Sequence, residues 1–76
     1  MERLVVTMEV FTNNGEKVIF TIHKEDNTEK PFSVYVGRPI GNNSTQQISL
    51  VDNALNDFDD ALISINTYMF DEEIDI

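Results

Sequence analysis

Two runs of alternating apolar residues joined by Asn14-Gly15 constrain this chain more than any other feature of its sequence. In LVVTMEVF, residues 4–11, the residues Leu4, Val6, Met8 and Val10 alternate with Val5, Thr7, Glu9 and Phe11. That is the two-residue period of a strand with one buried face. In KVIFTIHK, residues 17–24, one face carries Val18, Phe20 and Ile22 and the other Lys17, Ile19, Thr21 and His23. Asn and Gly both tolerate positive φ, so the intervening TNNGEK predicts a hairpin. After the polar connector EDNTEKP, the run FSVYVG places Phe32, Val34 and Val36 on one face of a third strand. Pro31 at its start costs little ladder pairing.

Residues 38–48 contain Gly, Pro, Asn and Ser without regular periodicity and predict a loop. Ser49, with Asp52 three residues later, approximates a capping box. From there Val51, Leu55, Phe58, Leu62, Ile65 and Met69 recur at spacings of three and four, one continuous helical stripe. The expected fold class is α+β, in a single domain. A three-stranded antiparallel β-meander occupies residues 1–37, a loop 38–48, one C-terminal amphipathic α-helix packed on the sheet 49–70, and an acidic tail 71–76. The tail is expected to leave the helix, because carboxylates at a helix C-terminus oppose the macrodipole.

Charge divides the chain in two. Residues 1–38 hold six acids against five bases, whereas residues 39–76 hold eight acids and no base. Such asymmetry marks an interaction surface. The formal net charge of −9 would be repelled by nucleic acid phosphates and by anionic membranes, so the expected partner is basic. The eight acids, Asp52, Asp57, Asp59, Asp60, Asp71, Glu72, Glu73 and Asp75, are the candidate partner-binding residues. On a continuous helix they would stand about 4 Å apart along the axis, close to the ~3.4 Å interval of phosphates on one DNA strand. The simpler alternative is a solvated surface that keeps a small protein soluble.

Catalytic and metal chemistry find little support. The chain has no Cys and His23 is its only histidine, so thiolate and multi-histidine zinc sites are excluded within one copy. Counted from Asp52 as a Ca²⁺ loop, the sixth residue is Asp57 rather than Gly and the twelfth is Ile63 rather than Glu. No Ser lies in a nucleophile context. Gly37-Arg-Pro-Ile-Gly41 lacks the spacing and the Lys of a phosphate-binding loop. We therefore expect no catalytic residue, no metal and no cofactor. The sequence also lacks a secretion signal and any run of about 20 apolar residues, which predicts a cytoplasmic protein.

A chain of 76 residues buries only about 60% of its unfolded surface, and without Cys it lacks the disulfides that stabilise many small domains. Oligomerisation is the remaining route. Val5, Phe11, Ile19 and Tyr35 fall on the sheet face opposite the expected core, and Ile63 falls outside the helix stripe. These five are the candidate interface of a homodimer, in which two acidic helices placed side by side would approach the charge density of a duplex.

The short length, the absence of Cys, the strand-rich first half and the acidic LNDFDDALISINTYMFDEEIDI resemble the small acidic host-takeover proteins of bacteriophages that act as DNA mimics. The resemblance lies in composition and element order over the whole chain. It implies a non-enzymatic inhibitor that occupies the basic DNA-binding surface of a host protein, such as the nucleoid-associated protein HU or a defence nuclease, in the bacterial cytoplasm. The competing expectation is a small dimeric adaptor whose partner binds the apolar sheet face while the acids only solubilise it.

Overall fold

The computed structural model describes residues 1–39 and 46–75. Four strands and one helix follow in order: β1 (Glu2–Phe11), β2 (Lys17–Glu25), β3 (Phe32–Pro39), β4 (Gln46–Leu55) and α1 (Phe58–Asp71). The strands form one antiparallel sheet in the order β1-β2-β3-β4, with α1 packed on one face against β3 and β4. The α+β class and the C-terminal helix stand as expected. The strand count does not, because the sheet has four strands rather than three.

The β1–β2 turn closes through the Gly15 amide donating to the Thr12 carbonyl at 2.9 Å and the Thr12 amide donating to the Glu16 carbonyl at 2.9 Å. Gly15 alone takes positive φ, +80°, while Asn14 does not. The turn thus places its left-handed residue at Gly, where no Cβ opposes it. On the helix side of the sheet Val18, Phe20, Ile22, Val34 and Val36 are fully buried and meet Ala61 and Ile65 of α1. The Phe20 and Tyr68 rings meet edge to face at 5.7 Å. Leu4, expected in this core, is 56% exposed. A bulge between Leu4 and Val6 inserts one residue, so Leu4 pairs with His23 in the row of the opposite face. One extra residue reverses the facing of everything beyond it.

The expected helix over 49–70 is corrected at its start. Ser49 is not a cap; it pairs with Val36 in the sheet. The true N-cap is Asp57, with φ −146° and a side chain that accepts from the Asp60 amide at 2.9 Å. Two irregularities interrupt β4 opposite Val34 and Phe32, and Ala54 in the second takes φ +55°. They leave Val51 and Leu55, four residues apart, as the half-buried members of the strand that pack on the core. A doubly bulged strand thereby reproduced helical spacing. Residues 46 to 48 belong to β4 rather than to the loop, and residues 40 to 45 of that loop lie outside the described residues.

The C-terminal segment is neither a further helical turn nor a loose tail. Beyond α1 the Glu73 amide donates to the Phe70 carbonyl at 3.2 Å and the Ile74 amide to the Met69 carbonyl at 2.9 Å, with Glu73 at φ +54°. This is a Schellman end in which Glu takes the place usually held by Gly. The Asn13 amide then donates to the Asp75 carbonyl at 2.8 Å, fastening the segment to the β1–β2 turn. Among the described residues no helix is long and apolar enough to cross a membrane.

Candidate functional site: an acidic helix side and an apolar open face

The sheet separates two surfaces of different chemistry. All eight acids of the second half belong to α1, to its two ends, or to β4 on the helix side; none lies on the open face. Asp57, Asp59 and Asp60 cluster at the start of α1, where the macrodipole and the free amides favour negative charge. Asp71, Glu72, Glu73 and Asp75 cluster at its end, where no base balances them along the helix. A helix of 14 residues holds the two clusters about 20 Å apart. Asp52 stands between them, accepting from the Ser64 hydroxyl at 3.3 Å and from the Asn53 amide at 2.9 Å. The expected ridge with a carboxylate every 4 Å is thus replaced by two clusters and a bridge, because Asp52 lies on a strand rather than on the helix.

A groove of about 370 Å³ runs between β4 and α1. Asp52, Asp60 and Asp71 line it, with Ile63, Ser64 and Tyr68 among the residues between them. Ile63 is 60% exposed here, on the helix side, and shares no surface with the other four candidate interface residues. Among the described residues Arg38 is the only base within ion-pair reach of any of the eight acids, at 3.9 Å from Glu72. It also lies 3.4 Å from Glu16, and it is held protonated even above its ordinary pKa, first by the Tyr68 hydroxyl and then by Glu16. Of the other bases, Arg3 lies 3.5 Å from Asp26 of the first half, and the Lys24 ammonium stands over the Phe32 ring at 5.7 Å. Among the described residues the other seven acids therefore have no internal cation, and all of them are exposed except the half-buried Asp60.

The open face is built from rows that cross all four strands. Glu9, Ile19, Gly37 and Ile48 form one row, and Thr7, Thr21, Tyr35 and Leu50 the next. Phe11 and Lys17 pair at one end of β1 and β2, and Val5 sits in the bulge near the other. Phe11 is 60%, Ile48 72% and Leu50 52% exposed. Ile48 and Leu50 also belong to this face, although the expected loop over 38–48 and helix from 49 place them elsewhere; the apolar residues two apart in QISL are the sequence signal of a strand here. His23 stays on this face, against the Tyr35 ring at 4.9 Å and the Thr21 hydroxyl at 3.1 Å.

Among the described residues no group of three or more His, Asp or Glu side chains is placed to hold a metal ion. The sequence matches no protein-family model, and comparison with curated proteins and with solved structures returns no match.

Proposed function

We propose that this chain is a non-enzymatic acidic inhibitor of the DNA-mimic type, acting in the cytoplasm, and in a bacterial host if it is phage-encoded. It would occupy the basic DNA-binding surface of a nucleic-acid-binding protein, a nucleoid-associated protein of the HU kind or a defence nuclease, and compete there with DNA. The observation that carries this reading is the helix side, where among the described residues seven acids lack an internal counter-ion and stand apart from a sheet face whose two central rows hold one charged residue, Glu9. A partner's Arg and Lys would pair with these carboxylates in place of phosphates through charge-assisted hydrogen bonds. The two clusters, about 20 Å apart, match roughly six phosphate intervals along a strand. Opposed fields would make association fast and sensitive to salt.

The working unit in this reading is a homodimer joined through Val5, Phe11, Ile19 and Tyr35 of the open face. A second reading keeps the acids as solubilising groups and makes the chain an adaptor that binds a protein through the same open face. The exposure of Ile48 and Leu50 favours it. Capture of partners from a bacterial lysate separates the two. The mimic predicts that added duplex DNA releases the captured protein and that Asp59→Lys/Asp60→Lys abolishes capture with an unchanged circular dichroism spectrum. Indifference to both DNA and charge reversal, with loss of capture on Leu50→Lys, would establish the adaptor instead.

A further inference from the structure

We infer that the open sheet face is occupied by a second copy of this chain, packed back to back, so that the dimer carries its two acidic helices on opposite outer sides rather than together. The inference deepens the homodimer named above, and it is tested without any partner protein.

Charge selects the occupant. A chain at −9 repels its own copy over most of its surface. The two central rows of the open face hold one charged residue, Glu9; Lys17 lies beyond one end of them, and beyond the other Glu25 pairs with the N-terminal ammonium and Glu2 lies 3.5 Å from His23. The helix side concentrates the eight acids of the second half, so contact through it would oppose like charges. Edge-to-edge pairing through β4 would also bring the two grooves together with Asp52, Asp60 and Asp71 of each copy.

Area agrees. Four strands about 4.8 Å apart and about nine residues long at ~3.3 Å each give a face on the order of 600 Å² in projection. A corrugated surface exposes more than its projection, and a standard interface uses about 800 Å² per partner. The apolar content is also spread over the face rather than gathered at one corner. Leu4 and Phe11 stand toward opposite ends of β1, with Ile19 and Tyr35 half-buried in the centre and Ile48 and Leu50 exposed on the far strand.

Stacked sheets lie about 10 Å apart, and a helix layer adds about 10 Å on each outer side, so the two α1 axes would stand about 30 Å apart. The side-by-side helices expected from a duplex-like surface are incompatible with this arrangement. Each dimer would instead offer two separate acidic surfaces, one per side, and engage two basic partners at once.

The absence of Cys allows a clean test, since Asn66→Cys on the exposed part of α1 gives a single spin-label site per chain. Sedimentation equilibrium should show a dimer. Pulsed electron resonance should give an inter-label distance on the order of 40 Å, the axis separation plus the outward reach of the labels. Leu50→Lys should weaken dimerisation at least tenfold with an unchanged circular dichroism spectrum. Ile48→Lys repeats the test at a more exposed position should Leu50→Lys disturb the fold, and Ile63→Lys should leave the dimer intact. A monomer at hundred-micromolar concentration, a dimer indifferent to both Lys substitutions, or a distance within about 20 Å, as edge pairing through β4 would give, overturns the inference. None of these outcomes depends on whether the acidic side mimics DNA.

Discussion

Asp57 shows how one carboxylate can serve the fold as well as the surface. Its side chain accepts from the Asp60 amide at 2.9 Å and starts α1. Replacing such a cap by Ala typically costs about 1 kcal/mol. For Asp57→Ala we expect that loss in a urea titration, and no comparable loss for Asp59→Ala, which has no capping role. Glu73 is the opposite case. It holds φ +54° at a helix end already crowded with negative charge. Glu73→Gly relieves the left-handed strain and removes an unfavourable charge, partly offset by the added freedom of the unfolded chain. The variant should gain on the order of 0.5 kcal/mol, read as a rise of a few degrees in Tm, while its capture of a basic partner weakens.

At the scale of elements, what the sequence disclosed depended on how regular each element is. The faces of β2 and β3 were legible because unbroken alternation put Val18, Phe20, Ile22, Val34 and Val36 in the core. β1 was legible except at Leu4, where a bulge reversed the facing. β4 was not legible as a strand, since two irregularities set Val51 and Leu55 at the interval of a helix turn and joined them smoothly to the true helix stripe beyond Phe58. The acidic residues were legible as a composition but not as an arrangement, because their spacing depended on where α1 begins. Packing of α1 rests on few buried side chains. Ile65→Ala, at a position 2% exposed, should cost about 2–5 kcal/mol. A domain of this size holds only about 4–11 kcal/mol in all, so the variant should melt roughly 10–40 °C below the parent chain in thermal circular dichroism.

For the whole molecule, the central feature is segregation. One sheet keeps a face with an apolar centre apart from a side where, among the described residues, seven of the eight acids lack an internal cation. In the proposed reading, association through the first would leave the second free, so that a dimer interface and a partner surface would not compete for the same residues. Mimicry requires that the acidic side and DNA exclude one another on the partner. The measurement that tests this most directly is a titration of the chain into the captured partner already bound to fluorescent duplex DNA. The account predicts displacement to the signal of free DNA, with a midpoint that rises in proportion to the DNA present. A stable ternary complex, with the chain bound and the duplex retained, would contradict it.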